Sequence, residues 1–372
     1  MRAMPLFPRN AGDVTRAKAR AGKPPPPSGR PVLQITRRAR DQLMHDLEAW
    51  LKEEGVDLHL LLENAFANIE EINVLVNRYG RSLYQAGRPL NHYSETINAL
   101  SSLKPQIRRS LQGCWDLAFS WSRQEPTLHH VAMPGPVLLA MLATCYLWGW
   151  LRLAGILALG FGAVLRTGEL LQARRADLLL PVDTGFFASY ALLAIAEPKT
   201  RFSTARHQSA KLDVPDLLDT VTMAFSHLRP GEKLWNFSAQ TLRARFKVLT
   251  KALDLPQQKY CGVKPLDMGS LRPGGATWLL QTTESGELVM RRGRWAAYKV
   301  MSIYLQEVSA ITYLNKIPLS SKSKILKLAE NFVPLHQKAI SFSRAAIPCD
   351  LWWQQPSKKK NSAKVGRLAC VM

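Results

Sequence analysis

The sequence predicts a mainly α fold with one small β-hairpin or sheet, an α+β arrangement in two domains. Apolar residues recur at helical spacing along most of the chain. A single pair of apolar runs flanks a polar turn near residue 199. Between the two helical stretches, Pro126 to Pro136 holds three prolines, a glycine and few core residues, and reads as a linker. At 372 residues and 47% apolar content the chain can fill two cores and still carry tails.

Taken in order, the first ordered segment begins near Ile35. Leu43, Leu47, Trp50 and Leu51 fall at helical spacing before Gly55 stops the run. Leu60, Leu61, Phe66, Ile69, Ile72, Val74 and Leu75 suit a second helix, Tyr93 to Leu103 a third and Ile107 to Trp121 a fourth. Residues 137–165 are long and apolar enough to be weighed as a membrane span. Arg152 and the glycines at 149, 155, 160 and 162 favour two buried helices instead. Residues 187–197 read as a strand, PKTR as a polar turn, and KLDVP from 211 as the return strand. Ser238 to Leu255 is helical, and so is Leu271 to Leu314 with a break around Gly286 and Gly293. The expected organisation is a basic disordered arm (1–30), a helical domain (31–130), a second domain (131–318) and an extension (319–372). That extension carries Trp352, Trp353 and the basic run SKKKNSAK.

Charge narrows the function classes. A formal net charge of +22 and a pI near 10.1 are too lopsided for an ordinary metabolic enzyme and suit a polyanion, either nucleic acid or an acidic membrane surface. Residues 1–30 hold seven Lys/Arg against Asp13, and residues 357–372 hold five with no acid, so half the excess sits at the ends. The five cysteines are scattered, with no Cys-x-x-Cys pair and no His/Cys cluster at ligand spacing, which implies a reducing compartment and no metal site. His129 and His130 read as a surface pair. Arg2, Arg9 and Arg16 interrupt any signal-peptide core. The Arg-rich leader is open to a transit-peptide reading, and the run of prolines at 24–27 favours a solvated arm.

The chemistry-bearing residues lie in the second half. LGFGAVLRTGELLQARRADL (159–178) places Glu169 three residues after Arg166. SLRPGGATWLL (270–280) carries Arg272, Trp295 follows 23 residues later, and Tyr304 nine after that. Between the arginines, EPKTR (197–201) presents Lys199 on the turn. In this order and spacing the segments resemble the tyrosine recombinase (phage-integrase-like) superfamily, in the manner of a divergent eukaryotic mobile-element member. The resemblance covers about residues 138–315. The helical domain before it fits the family's DNA-clamping domain by position and composition.

The resemblance implies DNA strand breakage and rejoining, in recombination or integration, through a 3′-phosphotyrosyl intermediate on Tyr304. Metal-free phosphodiester cleavage needs a nucleophile, positive donors for the non-bridging oxygens and an acid for the leaving oxygen. By resemblance Arg166 and Arg272 grip the phosphate, Lys199 protonates the 5′ oxygen, Trp295 buttresses the site and Glu169 orients its neighbours. The implied partners are double-stranded DNA and further copies of the chain on it, with no cofactor and no membrane. The implied location is intracellular, nuclear in a eukaryote and otherwise cytoplasmic. Two departures stand out. Gly269 occupies the position three residues before Arg272 where the family usually has His or Lys, and Pro273 and Gly274 replace the common His-Thr or His-Ser. Asp267 or His207 are candidates to compensate. The alternatives are a DNA-binding protein derived from such an enzyme and impaired by Gly269, and a membrane-associated protein built on residues 137–165.

Overall fold

Alanine, lysine and arginine favour helix wherever proline and glycine are absent, and the segment around Ala17 and Ala19 follows that rule. It forms α1 (Ala11–Arg20) inside a region expected to be a disordered arm. The computed structural model describes residues 11–22, 32–126, 129–184, 188–196 and 208–353. The chain divides into two units, Met1–Leu128 and His129–Met372.

In the first unit, α2 (Gln34–Glu53) ends at Gly55, whose φ of +76° lies in the left-handed region that glycine adopts without strain. The expected second helix is two, α3 (Leu58–Glu63) and α4 (Ile69–Gln85). Asp57 caps α3 by accepting from the His59 and Leu60 amides, and the Asn68 side chain donates back to the Leu61 carbonyl across the turn. Because the helix breaks there, Leu60 and Phe66 face solvent. The unit continues with α5 (Leu90–Leu103) and α6 (Gln112–Gln124). Leu47, Leu51, Ile72, Tyr79, Tyr93, Ile97 and Trp121 make its core.

The second unit is built on the apolar run at 137–165, which folds as α7 (Gly135–Leu147) and α8 (Leu151–Gly162). Both are buried on nearly every side, which explains why the run lacks a polar stripe. Among the described residues no helix is long and apolar enough to cross a membrane. After α9 (Thr167–Gln172) comes a three-stranded antiparallel sheet in the order β1 (Leu178–Leu179), β2 (Ala191–Ile195), β3 (Gln208–Leu212). Leu178 pairs with Leu193 and Leu193 with Ala210. The return strand therefore begins at 208, ahead of the expected 211, and β1 adds a strand that the run of leucines hid.

The helices α10 (Pro215–Phe225), α11 (Ala239–Ala252), α12 (Leu271–Thr283), α13 (Gly286–Gly293), α14 (Tyr298–Ser302) and α15 (Glu307–Thr312) follow. Gly155 lets α8 and α10 approach closely, since a Cβ there would lie 2.5 Å from the Ala224 Cβ. The fold is thus mainly helical with a small antiparallel sheet.

Part of the stretch read as a linker is packed. Ala132 and Met133, at the start of the expected second domain, are buried, and the Met133 amide donates to the Ser270 carbonyl. The expected extension joins the core of the second unit. Its helices α16 (Leu319–Glu330) and α17 (Phe332–Arg344) supply Ile325, Phe332 and Ala339, and Trp352 is buried beside them. Trp353 Nε1 donates to the Tyr146 carbonyl at 2.7 Å, which anchors the end of the described chain on α7.

Candidate functional site

Arg166 sits at the mouth of α9, where its amide donates to Glu169 Oε2 at 2.9 Å and its Nη1 to Glu169 Oε1 at 2.8 Å. Arg272 lies in the first turn of α12, with Pro273 next to it. A proline is accommodated there because first-turn amides have no helical partner. Gly274 and Gly275 let this helix seat against the backbone, since a Cβ on Gly275 would lie 2.0 Å from the Phe161 carbonyl oxygen. The replacements at 273 and 274 are thus part of how α12 packs, and they leave its start intact.

Residues 138 positions apart in sequence, from Arg166 to Tyr304, converge here. The Arg272 guanidinium, 4% exposed, lies 4.6 Å from the Trp295 ring centroid and 5.5 Å from that of Tyr304. The two rings are 5.0 Å apart. Both rest on a small apolar cluster of Val164, Ala276, Val289 and Met301. Arg272 donates through Nη1 to the Val164 carbonyl at 2.8 Å and through Nη2 to the Gly293 carbonyl at 2.6 Å. Val164 is β-branched yet adopts φ of +52°, a strained conformation of the kind that clusters at functional sites. Gly293 has to be glycine because a Cβ would lie 1.7 Å from the Trp295 ring. Each terminal nitrogen keeps a second hydrogen, and Nε–H is a third donor.

Tyr304 lies in the turn after α14. Its carbonyl accepts from Thr277 Oγ1 at 3.1 Å, and the same hydroxyl accepts the Gln306 amide. The other tyrosines near the motif's end are placed differently. Tyr298 is 64% exposed, and Tyr313 is buried in the main core of the unit, where burial pushes its hydroxyl's pKa up. Lys199 and His207 lie outside the described residues. Among the described residues, β3 is tied to α13, because Arg292 donates to the Lys211 carbonyl and pairs with Asp213.

One member of the cluster escaped the sequence reading. Arg294 looks like part of a solvated basic run, RRGR, yet its side chain is 7% exposed and donates to Glu169 Oε2 at 2.6 Å. Its φ of +57° turns the chain so that Arg294 and Trp295 both face inward. Two guanidiniums, those of Arg166 and Arg294, therefore pair with one buried carboxylate, and the Arg272 charge is close enough to feel it. Burial raises the Glu169 pKa, but Arg294 and Arg166 outweigh it and hold the carboxyl below the usual carboxylate range. Burial, then the charges of Arg166 and Arg294, push Arg272 down to about 9, with Glu169 opposing. Burial likewise lowers Arg294. Arg272 Nε and Arg294 Nε and Nη1 are buried with no hydrogen-bond partner among the described residues. Buried positive charge with unused donors is an arrangement that an anion would compensate.

Removing Glu169 leaves these cations uncompensated. Glu169→Ala is expected to destabilise the second unit by about 3–5 kcal/mol in urea unfolding. Because the folded carboxyl is depressed, its contribution is fully present above the unfolded value of about 4.3 and is lost as pH falls through the lower folded value. The gap between parent and variant should therefore close in acid.

No protein-family model matches the chain, and no curated protein matches it. Among solved structures it is similar to a XerH site-specific recombinase bound to difH substrate in a pre-cleavage complex. That match has 13% identity and a TM-score of 0.39, covering 64% of this chain and 75% of that one. It is also similar to a XerA recombinase at 11% identity and a TM-score of 0.38, covering 74% of this chain and 99% of that one.

Proposed function

We propose that the chain binds double-stranded DNA and breaks and rejoins its strands through a covalent link to Tyr304. The observation that carries this reading is the set of buried guanidinium donors without partners, gathered with excess positive charge beside the Tyr304 ring. A phosphodiester supplies the missing charge and acceptors. Tyr304 Oη forms the bond to phosphorus as the bond to the 5′ oxygen breaks. The tyrosine proton passes to solvent, and Lys199 gives a proton to the 5′ oxygen. Arg166, Arg272 and Arg294 hold the non-bridging oxygens, where charge builds in the transition state. Trp295 keeps the Arg272 plane in place by stacking. Several copies assemble on paired sites.

A second reading, binding without cutting, is favoured by Gly269, which brings no side chain to the phosphate. The two separate in one experiment. Duplexes selected for binding from a random pool, labelled and nicked, are incubated with the protein and boiled in detergent. Label retained on the protein supports strand transfer; none, on several duplexes at low salt, leaves the binding reading. In either case DNA affinity should fall steeply with salt, and removing residues 1–30 and 357–372 should flatten that dependence, because half the excess charge lies there. An unchanged slope in a filter-binding titration would place the phosphate contacts elsewhere.

A further inference from the structure

The space above Gly269 is filled. A Cβ built on this glycine would lie 2.7 Å from Nδ1 and Cε1 of His130 and 2.8 Å from its Cγ, so the imidazole is seated directly on the backbone where a side chain would stand. One contact fixes the ring and others fix the backbone on either side of it. His130 Nδ1 is 3.0 Å from Asp267 Oδ2, while Asp267 Oδ1 accepts the Gly269 amide at 2.7 Å and so fixes the turn beneath. The His130 carbonyl accepts from Gln306 Nε2 at 2.8 Å, and Gln306 Oε1 accepts the Ala132 amide at 3.1 Å.

These fastenings join three parts of the site. Gln306 is two residues past Tyr304, Gly269 is three residues before Arg272, and Thr167, next to Arg166, donates to the Met268 carbonyl at 3.4 Å. His130 is thus clamped at the meeting point of the segments that carry both arginines and the tyrosine. Its side chain is 61% exposed, so the ring is open to a ligand that approaches from solvent. Of the two ring nitrogens, Asp267 engages Nδ1, which leaves Nε2 to face a ligand.

We infer that His130, oriented by Asp267 and seated on Gly269, contacts the DNA phosphate at the Arg166–Arg272 site through Nε2. The inference rests on the strand-transfer reading and explains how a site with glycine at 269 keeps a donor there. Glycine at 269 is then the condition for the histidine's place, since any larger residue displaces the ring.

The test compares label transfer from the nicked duplex with duplex affinity in four proteins. His130→Ala should lower transfer by roughly 100-fold, the usual effect of removing one transition-state donor, and leave affinity within about threefold. Gly269→Ala should act in the same direction by pushing the ring aside. The double variant His130→Ala with Gly269→His, in which the vacated space accepts the new side chain, should recover at least tenfold of the loss. A merely structural His130 would show no such rescue. Transfer by the parent that His130→Ala leaves unchanged overturns the inference and keeps the strand-transfer reading. Absence of transfer in the parent and in every variant overturns both.

Discussion

Tyr304→Phe should leave duplex affinity within about twofold of the parent and remove strand transfer altogether. The substitution deletes one oxygen, and the ring still packs 5.0 Å from Trp295 and against Arg272. Stability should change by no more than about 1 kcal/mol, the net value of a single hydrogen bond. No other group replaces a lost nucleophile, so the expected effect on chemistry is complete rather than partial. Tyr298→Phe is the matching control, because that ring is solvent-exposed. Melting temperature, affinity and label transfer measured on the same preparations separate a chemical from a structural role.

Arg166→Ala and Arg272→Lys should each reduce strand transfer by roughly 100- to 1,000-fold while binding falls only a few-fold. The two differ in what they disturb. Arg166 is 27% exposed and can be truncated with little change to packing. Arg272 bridges the Val164 and Gly293 carbonyls and fills the space beneath two rings, so alanine there would open a cavity and strand both acceptors. Lysine keeps the charge but loses the planar fork, which isolates the geometric contribution. Equal losses in binding and transfer would assign both arginines to affinity rather than to the transition state.

The parts of this molecule written in local pattern were legible in its sequence. Helices such as α2 and α5 announce themselves by apolar spacing, and α7 and α8 by a run too apolar for a surface position. Arg166, Arg272, Trp295 and Tyr304 stand out in the sequence by order and spacing, and the fold places them near one another. What local pattern does not carry is partnership across the chain. Arg294 belongs to the site only because α13 ends in a left-handed turn that aims it at Glu169, 125 residues earlier. His130 lies in a proline-rich stretch that looks like a tether, and only the bare backbone of Gly269 gives its ring a seat. The glycine that read as a missing group is, in the fold, the space that another group fills. The sheet's first strand and the docking of α16, α17 and Trp352 escaped for the same reason, since each is defined by what it meets rather than by its own periodicity.

The most direct test of the central claim is to locate the covalent bond. After trapping on a nicked duplex, digestion with nuclease and protease and mass mapping should find the nucleotide remnant as a 3′-phosphate ester on the peptide that contains Tyr304. Tyr304→Phe should yield no modified peptide. A remnant on Tyr298, on Tyr313 or on any residue outside the arginine cluster, or an adduct that survives Tyr304→Phe, would contradict the account.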